Sequence, residues 1–323
     1  MKSILKICLF FIAFSSLNVF AMGAKDMPDN GKKNVAVTFD AMKELTQAVA
    51  GDKVNISVII PPGMEAHDFE PKAKDLAFLS KADILVYNGL GMEFWLEDAV
   101  KAVNNKKLIM VEASAGIEPI KSGHHHHDEH GEDCDCEACA GEHEHGKGHE
   151  HCHHGEFDPH TWLSLSSAKI MVKNIENALS KADPENAKIY NENANKYIAE
   201  LDTLLKEYIE KFSKVKNKHF VTGHAAFGYL CRDFNLEQNS VTDIFNDNEP
   251  NAKELVKLVE YCKKHNVKAI FTEETASPLV SKTLATEVKA KVEKIYTIES
   301  PEDNMSYLER MKTNLMRIYE NLK

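Results

Sequence analysis

Residues 184–214 read PENAKIYNENANKYIAELDTLLKEYIEKFSK. Within them Ile189, Tyr190, Ala194, Tyr197, Ile198, Leu201, Leu204, Leu205, Tyr208, Ile209 and Phe212 recur at spacings of three and four, which gathers them on one face of an α-helix. At 3.6 residues per turn the pattern holds for about eight turns, long for a globular helix. Asp183-Pro184-Glu185 supplies a start, with an N-cap residue, a proline at the first helical position and an acidic first turn. A helix of this length can bridge two lobes.

The chain repeats one pattern on either side of it. Before it, β-rich runs at 35–39, 54–60, 84–87 and 108–111 are interleaved with helical stretches such as 41–50 and 72–81, and a further helix at 166–182 leads in. After it, runs at 219–222, 240–244, 267–272 and 292–298 are interleaved with helices at 252–264 and 279–289. Strands alternating with helices predict parallel, helix-covered sheets. The expected fold is α/β: two lobes, each a four-stranded mainly parallel sheet flanked by helices, joined by one long helix. No short-period repeat relates the halves, so the duplication is one of architecture.

A length of 323 residues agrees with two lobes. The expected divisions are a signal peptide at 1–21, an N-terminal lobe at 25–183, the linking helix at 184–214 and a C-terminal lobe at 217–323. Lys2 and Lys6 give the signal its positive end, residues 7–14 its apolar stretch and Val19-Phe20-Ala21 its cleavage site. The apolar run falls short of the ~20 residues a bilayer-spanning helix needs. Cys8 lies within that run rather than after it, which argues against lipid attachment. The mature chain is expected outside the cytoplasm, without stable membrane insertion. A formal charge of -11 excludes the basic footprint that nucleic acid demands.

Eleven of the sixteen histidines fall between His124 and His154, together with Cys134, Cys136, Cys139 and Cys152. The 121–156 stretch has no apolar periodicity and reads as an exposed loop. Its histidines and carboxylates can gather metal weakly, its cysteines can form disulfides or a zinc knot, or it is a plain solvated linker. Cys231 and Cys262 remain in the body, where their spacing permits a disulfide without showing one.

Five histidines lie outside the loop. His67 follows the second predicted strand and His224 the fifth, at the carboxyl ends where open α/β sheets bind ligands. His160 stands at the loop's exit and Glu299 ends the last strand, so each lobe offers two candidates. Three imidazoles and one carboxylate complete a tetrahedron around Zn²⁺. Such a closed set leaves no position for reacting water, so it captures metal and is no enzyme. His219 begins a strand and His265 ends a helix, which suits structural roles. Glu273 and Glu274 read as ligands or as solvated surface. Trp162 and Phe69 read as packing. Gly89 and Gly91 suggest a nucleotide loop, but no third glycine opens a helix, and the reading is a tight turn. A secreted zinc hydrolase would need a motif such as His-Glu-x-x-His, and neither that nor a nucleophile elbow is present.

The segments GMEAHDFEP (63–71), YNGLG (87–91), DPHTW (158–162), TGHAAFGY (222–229) and IFTE (270–273) resemble the zinc and manganese solute-binding receptors of ABC importers. The resemblance covers nearly the whole mature chain. It implies two lobes on a rigid helix, a periplasmic location, and delivery by a monomer to an importer permease in the inner membrane. His224 stands where zinc receptors carry histidine and manganese receptors glutamate, so the implied cargo is Zn²⁺, with a manganese or iron receptor as the alternative. The acidic, His-rich insertion is likewise a habit of zinc receptors. Some of these place glutamate directly before the first histidine, where this chain has Ala66. Others carry an acid on the last strand, which favours Glu299 as fourth ligand, with water as the fallback.

Overall fold

The computed structural model describes residues 30–122, 155–244, 250–273 and 278–323. The expected signal peptide and nearly all of the His-rich stretch lie outside the described residues. The first half holds strands β1 (Asn34–Val37), β2 (Asn55–Val58), β3 (Ile84–Tyr87) and β4 (Ile109–Glu112) with helices α1 (Asp40–Ala50), α2 (Ala73–Leu79), α3 (Leu96–Val103) and α4 (Leu165–Ala182). After α5 (Ala187–Ser213) come β5 (His219–Thr222), α6 (Gly228–Phe234), β6 (Glu237–Ser240), α7 (Ala252–Lys264), β7 (Ala269–Thr272), α8 (Pro278–Val288), β8 (Lys291–Lys294) and α9 (Tyr307–Leu322).

The two sheets have the same plan, β2-β1-β3-β4 and β6-β5-β7-β8, and every pairing is parallel. In each, the chain steps to one edge and then crosses to the other side of its first strand. The crevices at the strands' carboxyl ends therefore open between β1 and β3 and between β5 and β7. Val35, Ala36, Val37, Ile84, Leu85 and Val86 are all buried, as central strands covered on both faces require.

Two edge strands differ from expectation. Residues 237–240 form β6 where 240–244 was predicted, because the apolar Val241 and Ile244 lie beyond the strand's end while Glu237-Gln238-Asn239-Ser240 makes the pairing. The last strand stops at Lys294. Its continuation leaves the sheet, turns through Ile298 at a positive φ of 61°, and meets the first lobe, where Asp40 N–H donates to the Glu299 carbonyl (3.2 Å). Helices α3, α6 and α9 were not foreseen.

The long helix is present, about 40 Å of it at 1.5 Å per residue. It starts after a 3₁₀ turn, Pro184–Asn186, and Asp183 does not cap its backbone. The Asp183 carboxylate instead accepts from Asn186 Nδ2 (2.8 Å) and the Tyr190 hydroxyl (2.5 Å). The apolar face packs against α4, α1, α6 and α9. One core runs without a break from β1 through α4 and α5 to Phe220, Phe271 and α9, while Val221 and Ile270 point to a smaller cluster on the second sheet's far face, the two faces alternating along each strand. A fully buried ion pair, Arg310 to Asp40 at 2.6 Å, ties α9 to the start of α1.

Candidate metal centre

His67, His160 and His224 are 93 and 64 residues apart in sequence, yet one ring nitrogen of each lies within 4.8 Å of the others. His67 rides the segment that leaves β2, His160 heads the short 3₁₀ turn Thr161–Leu163, and His224 follows β5. His160 and His224 are buried and His67 half-buried. The Nε2 atoms of His67 and His160 stand 3.1 Å apart. Ligands at the ~2.0 Å bonds of tetrahedral zinc are separated by about 3.3 Å, so this pair already spans one edge of such a tetrahedron.

The electrostatics favour neutral rings. Burial, and after it the charges of His160 and His224, hold His67 well below the usual histidine value. Burial and then His224 do the same to His160, and burial lowers His224. Neutral imidazole is the form with a lone pair to give a metal. Asp158 selects which nitrogen of His160 carries it: its Oδ1 accepts from the His160 backbone N–H (2.9 Å) and ring Nδ1–H (2.8 Å), leaving Nε2 unprotonated and facing His67. A carboxylate behind a histidine also raises its basicity toward metal. Burial pushes Asp158 itself up to about 7. For His224, Nε2 donates to the Ile244 carbonyl (2.8 Å), which assigns the lone pair to Nδ1.

Glu299 is not among the atoms gathered within 4.8 Å. Its side chain is buried, with Oε2 accepting from Ala66 N–H (3.2 Å), one residue before His67, and Oε1 without a hydrogen-bond partner. Burial, then the charge of Glu65, pushes its pKa up to about 8. The Glu299 segment is tied to the first lobe by Gly63 N–H, which donates to Ser300 Oγ (2.8 Å), and Arg310, paired with Asp40 of that lobe, donates through Nη1 to the Ser300 carbonyl (2.7 Å). Glu273 is buried, which excludes the solvated-surface reading. Its Oε1 accepts from His224 N–H (3.3 Å), its Oε2 has no partner, and burial pushes it up to about 8. Glu274 lies outside the described residues.

His219 and His265 lie together away from the three histidines, with ring centroids 3.7 Å apart and His219 Nδ1 3.0 Å from the Tyr261 hydroxyl. Cys231 and Cys262 are buried free thiols rather than a disulfide. Trp162 is fully buried, edge-on to Phe39, and its Nε1–H donates to the Thr297 carbonyl (2.6 Å). Phe69 packs on Trp95. Asp158 was missed as a functional residue. Its signal was a carboxylate two positions before a candidate ligand, held there by Pro159. Gly228 was missed too: a Cβ there would come within 2.7 Å of Asp158 Oδ2. Among the described residues, no helix is long and apolar enough to cross a membrane.

Comparison with known proteins finds zinc-uptake and metal-binding relatives. The family model of ZnuA, the periplasmic component A of the zinc-uptake complex, matches residues 35–321. A Treponema pallidum protein named only for metal binding is 48% identical over 292 residues, 89% of this chain and 86% of that one. The high-affinity zinc uptake system protein ZnuA of Bacillus subtilis is 38% identical over 324 residues, 97% of each chain. Among solved structures, Zn(II)-bound AdcA from Streptococcus pneumoniae superposes with a TM-score of 0.71 at 33% identity, over 90% of this chain and 58% of that one.

Proposed function

This chain belongs to the ZnuA family of periplasmic zinc-uptake components, and from that premise we propose that it captures Zn²⁺ between its lobes and delivers it to an ABC-type importer. The observation that carries the reading is the convergence of His67, His160 and His224 with two Nε2 atoms at the spacing of a zinc tetrahedron. Three imidazole nitrogens suit zinc over manganese, which prefers oxygen. Glu299 is the proposed fourth ligand. Its unpaired Oε1 and the bond from Ala66 N–H, one residue before His67, support that role. With four protein ligands no coordination position is left for a reacting water.

The proposed organisation is a signal peptide at 1–21, a first lobe at 25–183 that carries the His-rich stretch 121–156, the linking helix at 184–214 and a second lobe at 217–323. The chain works in the periplasm as a monomer whose partner is the importer's inner-membrane permease. Competition titration of the metal-free protein with zinc tests the proposal. One tight site is expected in the wild type, and a loss of at least about a hundredfold in His224→Ala. Equal affinity in the two proteins would place the zinc elsewhere.

A further inference from the structure

We infer that the turn at 88–93 is the positioning element of the capture site, with Asn88 holding His160 in place through the residues on either side of it. The inference rests on the zinc-capture reading above. Asn88 is fully buried at the carboxyl end of β3, on the crevice between β1 and β3. Its Nδ2 donates to the Pro159 carbonyl (2.8 Å) and to the Gly89 carbonyl (2.9 Å), and its Oδ1 accepts from Thr161 Oγ1 (2.8 Å). Two of these bonds straddle His160.

Asn88 is itself held. Glu93 folds back so that Oε1 accepts from Asn88 N–H (2.9 Å) and Thr38 Oγ1 (2.8 Å) and Oε2 from Gly89 N–H (3.0 Å). Gly89 and Gly91, at φ of +95° and +81°, allow the reversal, and a Cβ on Gly89 would overlap the Glu112 carboxylate. Asp158 fixes the tautomer of His160, but the two share one short loop and can shift as one body. Asn88 ties that body to the end of a central strand. Its loss would leave the buried Thr161 hydroxyl only the Met171 sulfur at 4.0 Å and the Pro159 carbonyl only its local bond from Thr161 N–H (2.7 Å), and the imidazole would lose the tether that sets its register with His67. The glycine turn that superficially suggests a nucleotide loop is thereby accounted for.

The test compares wild type, Asn88→Ala, Thr161→Val, Thr161→Ser and His160→Ala by zinc competition, by the visible spectrum of bound Co²⁺ and by melting of the metal-free protein. Asn88→Ala is expected to weaken zinc by about tenfold to a hundredfold, the range for residues that orient a metal ligand, and to alter the tetrahedral Co²⁺ bands. Thr161→Val is expected to lose about tenfold, and Thr161→Ser, which keeps the hydroxyl, to recover wild-type affinity and spectrum. Wild-type affinity and spectrum in Asn88→Ala or Thr161→Val, even with a lower melting temperature, would overturn the inference. If Asn88→Ala does not fold, the Thr161 pair decides alone. Wild-type binding by His160→Ala would overturn the capture reading itself. Loss there with no change in the Asn88 and Thr161 variants would overturn only the positioning role.

Discussion

At pH 7 the three imidazoles of the proposed site are neutral before any metal arrives, because burial holds their pKa values below the ordinary 6.5, whereas Glu299, raised to about 8, is still protonated. Zinc binding through Glu299 must then expel a proton from the carboxyl and none from the rings. A group with a pKa of about 8 is roughly nine-tenths protonated at pH 7, so close to one proton per zinc is expected. Calorimetry in buffers of different ionisation enthalpy measures it, and Glu299→Gln should remove it. An unchanged proton count in that variant would assign the fourth position to water. The sign of the pH dependence follows. Affinity should climb about tenfold per pH unit up to about pH 8 and level off above it, and the fall should steepen only once the pH drops below the lowered histidine values. Residues of this kind were unevenly legible. His67, His160 and His224 announced themselves by standing after strands or at a loop exit. Asn88 and Gly228 could not, since an asparagine that clamps a distant carbonyl and a glycine that makes room for a carboxylate look like ordinary turn residues until the chain is folded.

Among the elements, α6 is the one on which the site leans without supplying a ligand. Its Tyr229 hydroxyl donates to the Asp158 carbonyl (2.7 Å) and accepts from Ile120 N–H (3.1 Å), so a helix of the second half pins the two segments joined by the antiparallel bridge Lys121–Phe157 in the first. Gly228 lets it approach. In Gly228→Ala the new methyl would meet Asp158 Oδ2 at 2.7 Å, and the carboxylate must turn away from His160. A stability loss of about 1–3 kcal/mol is expected from overpacking, with zinc affinity down by about tenfold through the misoriented ring. Denaturant unfolding and competition titration check the two effects, and a variant that loses stability alone would mean Asp158 absorbs the clash without moving His160. The sequence reading found the central strands because each is a short apolar run, and α5 because eleven apolar residues kept its period. It misplaced β6, where a polar tetrapeptide pairs at the sheet's edge, and passed over α6, whose seven residues span barely two turns.

For the whole molecule, the continuous core and the buried Arg310–Asp40 pair make the lobes one packed body rather than two beads on a helix. The buried carboxylates give that body a pH signature. Glu273 and Glu299 have folded pKa values of about 8, above their ordinary 4.5, so the stability they contribute is complete below the unfolded value and lost as pH rises through 8. The metal-free protein should therefore melt at a lower temperature at pH 8.5 than at pH 7, a range that lies above the lowered values of His67, His160 and His224. Zinc should reverse the trend, adding about 4 kcal/mol at a thousandfold excess over its dissociation constant. A metal-free melting temperature that rises across this range would show that the carboxylates are not held protonated. The largest claim, that capture belongs to three separated histidines and not to the eleven clustered ones, is tested most directly by zinc competition titration of a protein lacking residues 123–155. One equivalent of zinc bound as tightly as by the full chain is expected. Loss of nearly all tight binding with that segment would contradict it.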